Sequence, residues 1–366
     1  MNRRTFIQSG LAAAIGTPLF AALKQDRLDE AADVLARATT SGQVAAAVLH
    51  VTQRETSFTR HFGKAPSADA MFLLGSISKP ICVTSLMALF DRGEFGLDDR
   101  VKKFIPQFAG EGRDEVTIRQ LLTHVSGLPD QLPENDMLRK NHAPLSEFVE
   151  HAIRTPLLFG AGSRYQYSSM AILLAVHVAQ KMSGTGILEL VDRSVLQPLG
   201  MKHSALGLGR FTLDDMVPVQ TERAARESGG GDPAAKDWNW NSPYWRKLGA
   251  PWGGLHASAP DVGRFLSEFL FAKGAVVKPE TAKLIVSNHN GEKLTPRGLG
   301  FAVGTSAGSP GCSERTFGHS GSTGTLAWAD AASETICVVL TSLPGGAVQP
   351  HPRELAAARV ADATGR

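Results

Sequence analysis

The sequence predicts an α+β fold: an antiparallel sheet of about five strands, flanked by helices, with a helical lobe inserted between its parts. Two observations carry this. Strand-like apolar stretches cluster near both chain ends, and stretches of helical period fill the middle. No internal repeat offers a competing architecture. The sheet lobe is expected from about 23–75 and 255–366, and the helical lobe from about 95–250.

The elements come in this order. Leu28 to Ala38 reads as an amphipathic helix, and Val44 to Val51 and Thr56 to Phe62 as strands joined at Gln53-Arg54. A helix after Gly75 runs to about Arg92 and stops at Gly93. It is apolar nearly all round, as a helix enclosed by other elements would be. Thr117-Ile118-Arg119-Gln120 has the capping-box pattern for a helix through Leu122. Further helices are expected at Ser146 to Arg154, Met170 to Met182 and Ile187 to Leu196. Residues 218–250, with Gly229-Gly230-Gly231 and Trp238, Trp240, Tyr244 and Trp245, read as a long surface segment. Ser258 caps a helix to Leu270. Gly298 to Val303, Thr316 to Ser320, Gly324 to Asp330 and Thr335 to Thr341 read as strands, and a last helix, about Arg353 to Ala363 within 346–366, packs on the sheet.

Composition narrows the function. The chain has 366 residues, 43% hydrophobic and 20% charged, ordinary for a globular enzyme. Its net charge of +3 includes Arg3 and Arg4, and residues 1–22 hold no acid, so the rest carries only +1 (3 − 2). That leaves no basic stripe for nucleic acid. Arg3-Arg4 ahead of the apolar run Gly10 to Ala22 resembles a twin-arginine export signal over residues 1–22, which predicts a periplasmic protein. No later stretch reaches about 18 apolar residues, so no membrane span is expected after signal removal. Cys82 and Cys337 read as small core residues, and a Cys312–Cys337 disulfide is one reading that spacing alone does not establish. No metal-ligand spacing occurs, and neither metal nor cofactor is expected.

The chemistry is concentrated in three short segments. In Gly75-Ser76-Ile77-Ser78-Lys79-Pro80, a serine and a lysine three apart share one helix face. A hydroxyl becomes a useful nucleophile when a neighbouring base takes its proton, and an amine that holds its own proton loosely serves. Tyr165-Gln166-Tyr167-Ser168-Ser169 places a phenol before an apolar helix. A phenol near an ammonium has its pKa lowered and can relay protons. Phe317-Gly318-His319-Ser320-Gly321-Ser322 combines polar side chains with a glycine that lets substrate approach the strand. A lone Ser-x-x-Lys is a weak signal; the tyrosine and histidine segments give it weight.

In this order, Ser76-x-x-Lys79, Tyr167-x-Ser169 and His319-x-Gly321 resemble the three motifs of the serine β-lactamase and penicillin-binding superfamily. Among its branches they are most similar to class C β-lactamases, D-amino-acid peptidases and family VIII carboxylesterases. Leu121 to Leu128, Leu97-Asp98-Asp99-Arg100-Val101 and Gly253 to Ser258 extend the likeness over roughly 28–345. The resemblance implies a β-lactamase/transpeptidase-like fold with a hydrolase domain from 23 to 345. It implies Ser76 as nucleophile, proton transfer shared by Lys79 and Tyr167, and an oxyanion hole from the Ser76 and Ser322 N–H groups. It also implies substrate contacts at Ser169, His319, Ser320 and Gly321. Lys79 and Tyr167 titrate as a pair, so the base is left open between them.

Two departures bear on substrate. The family usually has asparagine at Ser169, where its amide contacts the acyl side chain, and commonly lysine at His319, helping to hold a carboxylate. Serine offers fewer donors, and histidine is mostly neutral near pH 7. The sequence therefore favours a small ester or amide, with D-peptide and β-lactam cleavage as alternatives. A non-catalytic protein that binds cell-wall fragments is the reading from another class. His124 reads as a structural turn residue, and Trp252 with the aromatic cluster at 238–245 either as an acyl-pocket wall or as loop packing.

Overall fold

The computed structural model describes residues 24–364; the proposed export signal lies outside them. The strands are β1 (Ala46–Gln53), β2 (Thr56–Gly63), β3 (Phe72–Leu73), β4 (Ser204–Leu206), β5 (Leu255–Ala257), β6 (Ala302–Val303), β7 (Thr316–Gly321), β8 (Thr325–Asp330) and β9 (Thr335–Thr341). The main sheet has six strands in the order β2-β1-β9-β8-β7-β6, every neighbour antiparallel. The chain ends thus meet in the middle of one sheet, as expected, with one strand more than the expected five. A second, three-stranded sheet has the order β3-β5-β4.

Alternation sorts the two faces. Leu49 pairs with Val339 and Val51 with Cys337, and these residues join Trp328 in a core under two helices, α1 (Gln25–Thr40) and α11 (Pro352–Ala363). Val48 pairs with Leu340 and both face the other way, into the larger core. A one-residue slip would exchange the faces, so burial on both sides fixes the register. Cys82, Cys312 and Cys337 are buried, and none of them forms a disulfide. The Cys312–Cys337 disulfide is therefore absent, and Cys312 instead accepts a hydrogen bond from Ser309 N–H at 3.4 Å.

The remaining helices are α2 (Ser78–Asp91), α3 (Ile118–Leu122), α4 (Asn135–Lys140), α5 (Leu145–Arg154), α6 (Ser169–Ser183), α7 (Ile187–Val191), α8 (Pro243–Leu248), α9 (Ala259–Leu270) and α10 (Pro279–Ile285). The apolar α2 is buried along almost its whole length and packs on α6. The capping box forms at the start of α3, where Thr117 and Gln120 exchange hydrogen bonds. Among the described residues no single helix is long and apolar enough to cross a membrane.

Two expectations are corrected. Only Ala302–Val303 of the expected strand 298–303 pairs, because Gly300 takes φ +82° to bring its backbone against Pro80 and Val83 of α2. Residues 218–250 are not a simple surface segment: Trp238, Trp240, Trp245 and Arg246 are buried. The Arg246 guanidinium donates to the Trp240 and Val217 carbonyls and to Asn241 Oδ1, tying the segment to itself.

The turn that carries Ser76 is clamped to the opposite end of the chain. Thr323 Oγ1 donates to Leu73 O and Thr325 Oγ1 to Leu74 O, each at 2.6 Å. From α11, Arg353 donates to Gly321 O at 2.6 Å and Thr325 O at 3.0 Å. A Cβ at Gly321 would lie 2.1 Å from Leu74 O. The missing side chain is what lets β7 abut the Ser76 turn. Replacing Gly321 with alanine is expected to destabilise the fold by about 1–3 kcal/mol or more, the cost of overpacking a core. Urea unfolding checks this, and an unchanged midpoint would contradict it.

Candidate active site

Ser76 sits in a single 3₁₀ turn, Gly75–Ile77, that leads directly into α2. Gly75 has φ +56°, and a Cβ there would meet Thr323 Oγ1 at 3.0 Å and Ser322 N at 3.1 Å. The turn and the β7–β8 connection therefore touch, which brings the backbone of Ser322 beside Ser76. Lys79, one helical turn on, is 1% exposed. Its Nζ lies 2.9 Å from Ser76 Oγ and donates to the Trp252 carbonyl, also at 2.9 Å.

Burial decides the state of this amine. It lowers the Lys79 pKa from 10.5 to about 7, against a smaller opposing pull from Asp130 and with help from the positive charge of Arg297. That displacement corresponds to about 5 kcal/mol against the protonated form. Near neutrality Lys79 can hold or release a proton at little cost.

Tyr167 behaves oppositely to the sequence expectation. Burial pushes its pKa up, outweighing the neighbouring Ser76 and Arg297, which pull it down. It is a neutral phenol near pH 7, and among the described residues its hydroxyl has no hydrogen-bond partner of good geometry, with Ser76 the polar neighbour that acts on it most. The ring is flanked by cations: Lys79 Nζ is 4.8 Å from its centroid and Arg297 Cζ 5.8 Å. The His124 ring lies against it in a tilted contact, centroids 4.6 Å apart. The His124 Nδ1 accepts from Ser168 N–H at 3.1 Å, and its carbonyl accepts from Gln166 N–H at 2.9 Å. The structural reading of His124 holds, with a purpose: it braces the segment that carries Tyr167.

The other expected residues are brought together but differently used. Ser169 donates its hydroxyl to Asp130 Oδ1 at 2.7 Å, and its amide donates there at 2.9 Å, so its only hydroxyl proton is already engaged. His319 Nδ1 lies 2.7 Å from Ser320 O and must carry the proton, leaving Nε2 to accept from Arg297 Nη2 at 3.3 Å. Burial and Arg297 push His319 far below its ordinary pKa. It is neutral, with both nitrogens occupied. Ser320 and Ser322 line the cleft wall, while Gly321 is taken up by the contact with Leu74.

Three residues carry no signal in the sequence. Asp130 lies two positions beyond the segment matched at Leu121 to Leu128. Arg297 is 5% exposed, has no carboxylate partner among the described residues, and lines the same cavity as Ser76, Tyr167 and His319. Arg139 is buried beside Trp245 on the other side of the cleft. Each is a single charged residue in a loop or short helix, with no pattern to mark it. The Trp252 main chain meets Lys79, and its ring lines a cavity as well.

Two cavities meet at Ser76. One, about 750 Å³, is bounded by His319, Ser320, Arg297 and the start of α11. The other, about 190 Å³, is bounded by Asp130, Ser169, Arg139 and three tryptophans. A carbonyl held at Ser76 would send one substituent into each.

The family model described as Beta-lactamase matches residues 26–362. The chain belongs to the Beta-lactamase family. Relatives of this β-lactamase-family chain differ in chemistry. Esterase EstB of Burkholderia gladioli is 31% identical over 53% of this chain and 51% of its own. A protein assigned as a D-alanyl-D-alanine carboxypeptidase in Escherichia coli K12 is 24% identical over 71% of this chain and 66% of its own. The chain thus spans between half and two thirds of the length of these curated relatives. The fold matches the D-amino acid amidase of Ochrobactrum anthropi, with a TM-score of 0.74 at 21% identity over 92% of this chain and 98% of the other. A penicillin-binding protein homologue from Caulobacter crescentus gives the same TM-score at 21% identity over 94% and 99%.

The His319–Arg297 arrangement can be checked directly. In a histidine NMR titration His319 is expected to stay neutral through the range around pH 6.5 where a free imidazole titrates. In Arg297→Met its pKa should move upward, because a neighbouring positive charge has gone. An ordinary titration of His319 in the unaltered protein would contradict the arrangement.

Proposed function

We propose that this chain is a serine hydrolase that cleaves a small ester or amide through an acyl-enzyme on Ser76. The observation that carries the reading is the buried Lys79 amine, with a pKa of about 7, 2.9 Å from Ser76 Oγ. With Tyr167 held as a neutral phenol, Lys79 is the base and Tyr167 the proton donor. Lys79 takes the Ser76 proton as Oγ attacks the carbonyl, and its new ammonium is stabilised by the Trp252 carbonyl and the field of Asp130. The oxyanion is assigned to the N–H groups of Ser76 and Ser322. Tyr167 then protonates the departing alcohol or amine and regains its proton from Lys79. Water, activated by the same pair, releases the acid.

A second reading, a D-peptide substrate, is supported by Arg297. Its guanidinium, without a carboxylate partner among the described residues, stands in the larger cavity. It supplies the positive charge that the neutral His319 lacks, so a leaving group with a carboxylate has a partner there. This offsets the weakening inferred from His319 alone. The loss of the asparagine at Ser169 still favours esters over β-lactams. We assign the working site to the periplasm, on the Arg3-Arg4 signal.

Purified protein should hydrolyse 4-nitrophenyl butyrate faster than nitrocefin. Ser76→Ala should remove both activities, and Tyr167→Phe should lower kcat about 10²–10⁴-fold, the usual contribution of general acid–base catalysis. Full ester turnover in Ser76→Ala would refute the reading, and rapid nitrocefin turnover without ester turnover would reverse the ranking.

A further inference from the structure

The smaller cavity contains a charge that nothing in the proposed reaction uses. Arg139, on α4, is 3% exposed. Its Nη1 donates to the Glu227 main-chain carbonyl at 2.8 Å, and its guanidinium lies 4.0 Å from the Trp245 ring centroid. Nε and Nη2 have no hydrogen-bond partner, and no carboxylate among the described residues pairs with it. Burial lowers its pKa only to about 10, so it remains charged at neutral pH. The indole face compensates part of that charge. The two unpartnered N–H groups stay uncompensated, and a buried donor without an acceptor is costly.

Arg139 lines the cavity that also holds Ser76 and Tyr167, together with Trp240, Trp245 and Trp252. Asp130 and Glu227 line it too: Asp130 Oδ1 accepts from the Ser169 hydroxyl and amide, and the negative charges of Asp136 and Glu227 act on Arg139 from close by without pairing with it. At about 190 Å³ the space falls below the 300–1,000 Å³ of a whole-ligand pocket and suits one substituent. Three indoles share its walls with polar groups from Asp130, Gln131, Ser169 and Glu227, and besides the Tyr167 hydroxyl and Trp245 Nε1 the donors left without a partner among the described residues are those of the Arg139 guanidinium.

We propose that this cavity is a subsite for a short acyl chain ending in a carboxylate, with Arg139 as the specificity-determining residue and the three indoles packing the methylenes. The inference rests on the serine-hydrolase reading, in which the larger cavity takes the leaving group and the acyl chain enters here. A substrate of this class is the monoester or monoamide of a short dicarboxylic acid, or an acyl group derived from an acidic amino acid.

The test compares mono-4-nitrophenyl glutarate with 4-nitrophenyl pentanoate, equal in carbon number, with spontaneous hydrolysis subtracted. The unaltered protein should prefer the glutarate in kcat/KM. Arg139→Met should reduce that preference about ten- to a hundredfold, the range for losing a hydrogen bond to a charged group, and Arg139→Lys should keep part of it. Equal kcat/KM for the two esters in the unaltered protein overturns the proposal, whether or not Arg139→Met folds. So does a preference that survives in folded Arg139→Met. Titration of the catalytically dead Ser76→Ala protein with free glutarate separates the two readings. Quenching of tryptophan fluorescence that is lost in Ser76→Ala/Arg139→Met supports the subsite even if no ester is turned over. Ester turnover without such binding removes the subsite and leaves the hydrolase.

Discussion

A lysine amine enclosed by protein and touching a serine hydroxyl is the constraint that organises the rest of the cleft. An exposed lysine would be an ammonium near neutrality and could not accept a proton from Ser76. Enclosure reverses this, and the Trp252 carbonyl then fixes where the amine points. The cleft can hold one more positive charge at modest cost, since Asp130 opposes it and Trp252 accepts from it. Two histidines beside the same phenol are pushed to neutrality by burial and by the fixed charge of Arg297. Only the amine is left poised to change state.

The fold supplies the enclosure by joining the two ends of the chain. The β7–β8 connection grips the turn before Ser76 through Thr323 and Thr325, and α11 grips that connection through Arg353. Ser76 and Ser322 are 246 positions apart in sequence (322 − 76), yet their backbones are set by a shared set of short contacts. The segment 218–250 closes the other side with indoles, Trp245 among them on the short α8. Hydrolysis of an acyl-enzyme needs water, and the wide cavity toward Arg297 leaves it a route.

Much of this is legible in the chain. Near-continuous apolar runs mark β1 and β9, which are buried on both faces, and the cap at Thr117 forms as its spacing requires. Ser76, Lys79 and Tyr167 stand out because their motifs occur in order. The rest depends on tertiary contacts that no local pattern encodes. Trp238, Trp240 and Trp245 have neither helical nor strand period, so nothing local signals their burial. Asp130, Arg139 and Arg297 are isolated charges whose role comes from what folds around them. Gly321 is singled out by the sequence, but the Leu74 contact that its missing side chain serves is not legible there. The sign of the Tyr167 shift is misjudged when the nearby cation is weighed without the burial that outweighs it.

In the proposed reaction, attack by Ser76 depends on the proton state of Lys79, and the rate of single-turnover acylation against pH measures that state directly. With 4-nitrophenyl butyrate and excess enzyme, the burst of 4-nitrophenol should quicken as pH rises and level off, with a midpoint near the Lys79 value of about 7. In Arg297→Met the midpoint should move upward, since a charge opposing the ammonium is gone. A burst rate unchanged from pH 5 to 9, or one that rises only near the ordinary lysine pKa of about 10.4, would contradict Lys79 as the base.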